Sequence, residues 1–237
     1  MLRNYSSKTS SVVPRSTFLS DFILGSQDGL VNVLGIILGV SAATSDMRIL
    51  LVAALAALGA ESVSMGAVAY TSTLARQKQY YRDVEKEKNE IKNTPGHVLD
   101  SIKKILKSWE YKGKELDNLA SGIAKNPNAA MEFLMSFERK SIPVDKSAPF
   151  RSFVTVILAT VLGSAIPVLP FLFVKSVYAG AIVSVVISGI ALFCIGFYEA
   201  KTTVGSLWRS GLQMLIIGLA AGLVGYLIGH LIGAVPI

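Results

Sequence analysis

Four residues of the chain could do chemistry where chemistry is least expected. Asp28 and Asn32 stand four apart in DGLVN, and Glu61 and Met65 stand four apart in ESVSM. Each pair therefore shares one face of a helix. Both pairs sit inside runs of Leu, Ile, Val, Ala and Gly. An acid within a bilayer costs roughly 2.5–3.5 kcal/mol even on the mildest insertion scales, so its default reading is functional. Carboxylate supplies hard oxygen and thioether supplies soft sulfur. Together they suit a borderline transition metal such as Fe²⁺ better than Mg²⁺ or Na⁺. Either carboxylate can also exchange a proton.

A second set lies in a polar stretch. Glu87 and Glu90 are three apart, as are His97 and Asp100, while Met131, Met135 and Glu138 recur at four and three. Acid, His and Met on helices can build a metal site with several carboxylates. The run RDVEKEKNEIK also reads as an ordinary solvated helix of mixed charge. From the residues alone both readings stay open.

The elements that must position these residues follow from composition. Of 237 residues 51% are hydrophobic and only 16% charged, well under the roughly 25% of soluble domains. Five segments have the length and apolarity of a membrane helix: about 18–44, 49–75, 152–174, 177–198 and 211–235. The first two are joined by the short SDMR link and form a hairpin. Asp21 and Glu199 fall near span ends, where an acid is cheap. Pro167 and Pro170 are expected to bend the end of the third span. Gly25 and Gly29, Gly35 and Gly39, and Gly218 and Gly222 make G-x-x-x-G pairs, extended by Gly225, Gly229 and Gly233. Their expected role is close helix packing.

Between Arg76 and Arg151 lie 16 of the 23 Lys and Arg and 11 of the 16 Asp and Glu. The second span runs without a breaker into this polar domain until NTPG stops it. Apolar residues at Val98, Leu99, Ile102, Ile105 and Leu106 trace a helical stripe. ELDNLASGIAK follows. Asn126 is expected to cap a further helix with Pro127 at its first position. With the N-terminus inside, the outer loops keep only Arg48 and Lys175 of all the basic residues. The expected fold is therefore an all-α membrane protein with five spans and a cytoplasmic helical domain between the second and third. The divisions are 1–17, a cytoplasmic N-terminal segment; 18–75, spans one and two; 76–151, the polar domain; and 152–237, spans three to five.

Several classes are disfavoured. The net charge of +7 does not argue for nucleic acid, because the basic residues fall where membrane topology puts them. Cys194 is the sole cysteine, so neither an internal disulfide nor a cysteine metal cluster is available. The first residues lack a short apolar core with a cleavage site, so no signal peptide is expected. A carboxylate-bridged di-iron oxidase needs Glu-x-x-His repeats, and none occurs.

Three motifs carry a family resemblance over nearly the whole chain from Asp21 onward. DGLVNVLGIILGVSAA, SVSMGAVAYTS and AKTTVGSLWRSGLQMLIIGLAAGLVGYLIG resemble the signatures of the vacuolar iron transporter family, its nodulin-like and yeast vacuolar calcium/manganese relatives included. The resemblance implies a homodimer of five-span protomers in which the first two spans line the ion path at the dimer interface. It implies a cytoplasmic helical domain that collects metal through Glu and Met, and export of divalent metal from the cytosol in exchange for protons. Asp28 matches the family's first-span aspartate and Met65 its second-span methionine. The family's further second-span Glu falls where this chain has Ala57 or Ala69, and Glu61, one turn from Ala57, is taken as its substitute. Glu87 and Glu90 match the first carboxylate pair of the polar domain. His97 and Asp100 stand at the Glu-rich second pair. The Met-Met-x-x-Glu run appears as Leu134, Met135 and Glu138.

The expected function is thus a proton-coupled exporter of Fe²⁺, with Mn²⁺ as a second ion. It is not an enzyme and needs no cofactor, the metal being its cargo. Metal would gather on Glu87, Glu90, His97, Asp100, Met135 and Glu138 and pass along Asp28, Asn32, Glu61 and Met65. Alternatives are a manganese- or calcium-selective exporter of the same fold, a membrane-anchored metal oxidase, or a metal sensor. Calcium prefers oxygen ligands alone, which would leave Met65 idle. The expected setting is a multi-pass protein of a prokaryotic cell membrane or a vacuolar membrane, N-terminus cytoplasmic. Its expected partners are itself, divalent metal, protons and lipid, with no nucleic acid.

Overall fold

The computed structural model describes residues 15–203 and 205–233. The expected N-terminal segment 1–17 lies, up to residue 14, outside the described residues. Eight α-helices follow in order: α1 Arg15–Ala43, α2 Met47–Asn93, α3 Pro95–Ser108, α4 Gly113–Lys125, α5 Pro127–Phe137, α6 Ala148–Val168, α7 Val177–Thr202 and α8 Leu207–Gly233. No strand occurs among the described residues. Five helices (α1, α2, α6, α7 and α8) are long and apolar enough to cross a membrane. α6 tightens into a 3₁₀ turn over Leu169–Leu172, where Pro170 has no N–H to continue the α ladder. The chain forms two compact units, and the 47-residue α2 contributes to both.

Of the described residues, the first unit comprises 15–71, 149–203 and 205–233. One buried cluster of its interior joins Val33 and Ile37 of α1, Leu50 and Ala54 of α2, Val168 and Phe171 at and after the end of α6, and Val177 and Ala181 of α7. Its outer faces carry Val52, Leu158, Ile190 and Leu231, all exposed. Apolar outer faces, with glycines and the buried hydroxyls of Thr160, Ser164, Ser184 and Ser188 among the inner Leu, Ile and Val, fit helices packed in lipid, where burial of apolar surface supplies no drive and close approach does. The glycine pairs provide that approach. A Cβ on Gly39 would lie 3.0 Å from the Gly225 carbonyl oxygen, and one on Gly25 would lie 2.9 Å from that of Val156. So Gly35 and Gly39 face α8, while Gly25 and Gly29 face α6. The buried Ser184 hydroxyl donates to the Pro167 carbonyl at 2.8 Å.

The second unit includes Ser72–Ala148. Here the drive is ordinary burial. Val98, Ile102 and Leu106 recur every four residues on α3 and pack with Leu116 and Ala120 of α4 and Ala130 and Leu134 of α5. Asn126 caps α5: its side-chain oxygen accepts from the N–H of Asn128 at 3.0 Å and of Ala129 at 3.3 Å, with Pro127 at the first position. α3 closes on a Schellman motif. The Tyr111 N–H reaches the Leu106 carbonyl and the Glu110 N–H that of Lys107, with Glu110 at φ 71. Tyr80 of α2 packs with Met131 and Met135 of α5 in a smaller cluster.

Candidate functional site

In the first unit the turn at 44–46 sends α2 back beside α1. Asp46 accepts from the Arg48 N–H at 2.8 Å and starts α2. Two polar residues on α1 then meet one on α2. The Asn32 side-chain amide donates to the Glu61 carboxylate. The Asp28 carboxyl is an electrostatic neighbour of the same Glu61. Asp28 and Glu61 are half-buried. Met65, one turn further along α2, is also half-buried. Asn32 is the single polar side chain lining a groove of about 460 Å³ whose other walls are glycines and apolar residues of α1 and α8, Ile36 and Ile228 among them. The two carboxyls and one amide, set among apolar helices, form a hard-oxygen set of the kind a divalent cation or a proton can occupy in turn. Asp21 sits apart from them and accepts a hydrogen bond from Ser152 of α6.

In the second unit the polar residues converge on a cation from the chain itself. Arg139, just past the end of α5, donates from Nε to Glu87 Oε2 and from Nη2 to Glu90 Oε1, each at 3.0 Å. Glu87 is 1% exposed, and its Oε1 has no hydrogen-bond partner among the described residues. Burial raises the Glu87 carboxyl above its usual value, the Arg139 hydrogen bond and charge oppose this, and the charges of Glu90 and Glu138 add to the rise. Burial works against the charge on Arg139, but its bond to Glu87 and the charges of Glu87, Glu90 and Glu138 more than offset this and raise its pKa. His97 Nδ1 lies 3.8 Å from Glu90 Oε2. Met135 is buried beside Tyr80 and Met131. Glu138 is exposed, and Asp100 is exposed with no hydrogen bond or ion pair among the described residues. No three of His, Cys, Asp and Glu are gathered to hold a metal ion among the described residues.

Arg139 is the partner of these carboxylates that sequence reasoning missed. It stands 52 positions from Glu87 in a region crowded with cations. The available signal was indirect: an acid on the inner face of an amphipathic helix needs a positive partner.

Five helices long and apolar enough to cross a membrane, two of them carrying carboxyls that meet, define an integral, multi-pass membrane protein. The chain belongs to the VIT family, whose profile matches residues 19–230. It is similar to Vacuolar iron transporter 1 of Arabidopsis thaliana, 30% identical over 85% of this chain and 80% of that protein. It is also similar to Vacuolar iron transporter 2 of Oryza sativa subsp. japonica, 30% identical over 85% of this chain and 82% of that one. Protein CCC1 of Saccharomyces cerevisiae is 25% identical over 90% of this chain and 68% of its own. The first two carry transporter names, in line with a chain that is not an enzyme.

Proposed function

We propose that the chain carries divalent iron across a membrane, out of the cytosol, in exchange for protons. The observation that supports this most is the meeting of Asp28, Asn32 and Glu61 between two apolar helices. Two carboxylates cannot be held together in an apolar setting without a cation or a proton between them. A group that binds either one, and not both at once, is the simplest device for exchange. Met65 adds a soft donor one turn away, which favours Fe²⁺ and then Mn²⁺ over purely oxygen-seeking ions. The names of the relatives support iron as cargo and a vacuolar membrane as the setting.

Residues 76–151 form the cytoplasmic domain in this reading, and 18–75 with 152–237 form the membrane part. The one-sided placement of Lys and Arg supports that orientation. Glu87, Glu90, Met135 and Glu138, with His97 and Asp100 as further donors, gather metal for the track. Two copies assemble, with the first two spans at their interface.

The test is uptake of ⁵⁵Fe²⁺ into proteoliposomes under an imposed pH gradient. Asp28→Asn keeps the side-chain shape and removes the charge. It is expected to lower uptake at least roughly a hundredfold, since a lone remaining carboxylate cannot hold a divalent ion in the apolar segment. Its gel-filtration profile stays that of the wild type. Normal uptake by Asp28→Asn defeats the mechanism. Uptake indifferent to the pH gradient removes proton exchange and leaves the metal path standing.

A further inference from the structure

We infer that Arg139 is a tethered cation that competes with divalent metal for Glu87 and Glu90, and so sets how tightly the helical unit containing Ser72–Ala148 holds metal. The inference rests on the proposed reading of these carboxylates as metal-gathering groups. It concerns a residue that the reading does not use.

The geometry carries it. Glu87 and Glu90 lie three apart on one face of α2, and the guanidinium spans both, with each N···O distance 3.0 Å. The backbone holds Arg139 in place: its own N–H bonds the Leu134 carbonyl at 3.0 Å, and the next residue, Lys140, turns the chain at φ 50. The backbone is thus set at the end of α5, and the guanidinium is seated by its two carboxylate bonds. It is largely buried, 20% exposed.

The cluster remains short of positive charge. Glu87, Glu90 and Glu138 all act on Arg139. Lys86, 4.0 Å from Glu90, is an exposed and weakly held further cation. Among the described residues Glu87 Oε1 is buried without a partner, an acceptor that a single guanidinium fork has not reached. A buried carboxylate oxygen left unbonded is costly, and a divalent ion would use it. A metal ligated by Glu87 and Glu90 must draw on the same oxygens that accept from Arg139. Guanidinium and metal thus exclude one another. With the guanidinium seated the unit needs no metal to fold. With metal bound Arg139 is released, and its return helps expel the ion.

The test uses the full chain in detergent, in an Asp28→Asn background that silences the membrane cluster, with Mn²⁺ as an air-stable, EPR-visible probe. Arg139→Gln removes the competing charge. It is expected to bind Mn²⁺ at least roughly tenfold more tightly than the background chain, the loss of two charge-assisted hydrogen bonds being worth that or more. Its melting temperature falls without metal and recovers with Mn²⁺ by more than the background chain gains. Adding Glu90→Gln abolishes both effects. If Arg139→Gln fails to fold, Arg139→Lys decides. A single ammonium in place of a two-pronged fork should tighten Mn²⁺ binding several-fold, and unchanged affinity overturns the inference. Mn²⁺ affinity unaltered by Arg139→Gln but weakened by Glu90→Gln also overturns it, while metal gathering stands. No Mn²⁺ bound by any variant ends both.

Discussion

Glu87 shows what one residue can reveal. On the sequence it is one acid among many in a mixed-charge run. In the fold it is almost wholly buried and paired with Arg139. Burial prevails over that pairing, so the native carboxyl holds its proton to a higher pH than the ordinary value of 4.5. The sign of the consequence follows. As pH rises past 4.5 the unfolded chain loses this proton while the native chain keeps it, so stability falls. The fall stops once native Glu87 has also ionised. Melting temperatures of the full chain across the acid range should show this decline, and Glu87→Gln should flatten it. An equal slope in Glu87→Gln would assign the decline to other groups. Asp28 and Glu61 are the opposite case. They stood out from composition, since an acid within an apolar run is rare enough to demand a reason.

At the scale of elements, the two units are held by different physics. The helices α3 to α5 are stabilised by amphipathic burial and by caps that are local in sequence. Asn126 and Pro127 mark the start of α5 by residue type alone, and the cap forms as expected. Asn126→Ala should cost about 1 kcal/mol. Hydrogen exchange should read this as faster amide turnover in residues 127–137, and unchanged protection would show that packing alone holds α5. In the other unit, glycines bring α1 against α6 on one side and α8 on the other. The G-x-x-x-G spacing announced close packing. It did not say which helix each pair would face, because the spacing marks a face of its own helix and not the partner.

For the whole molecule, the distribution of charge is the organising fact. Basic residues concentrate between the second and third spans, and the two loops on the opposite side keep only Arg48 and Lys175. The proposed orientation in the membrane rests on that asymmetry. Single cysteines in a Cys194→Ser background test it. A cysteine replacing Ser45, exposed between α1 and α2, should react with an impermeant maleimide only from the non-cytoplasmic side. One replacing Lys125, exposed at the end of α4, should react only from the cytoplasmic side. The reverse pattern would invert the direction of transport proposed above.

By itself the amino-acid sequence determined the helices, the five apolar spans, the helical stripe of α3 and the presence of acids inside apolar runs. Those properties depend on neighbours within a few turns, where period and hydropathy act directly. Only the tertiary structure decided that Asn32 reaches Glu61 across 29 positions and that Arg139 reaches Glu87 across 52. Such pairings depend on how each helix is rotated about its axis and where the chain turns. Rotation is set by packing against other helices, which no local pattern encodes.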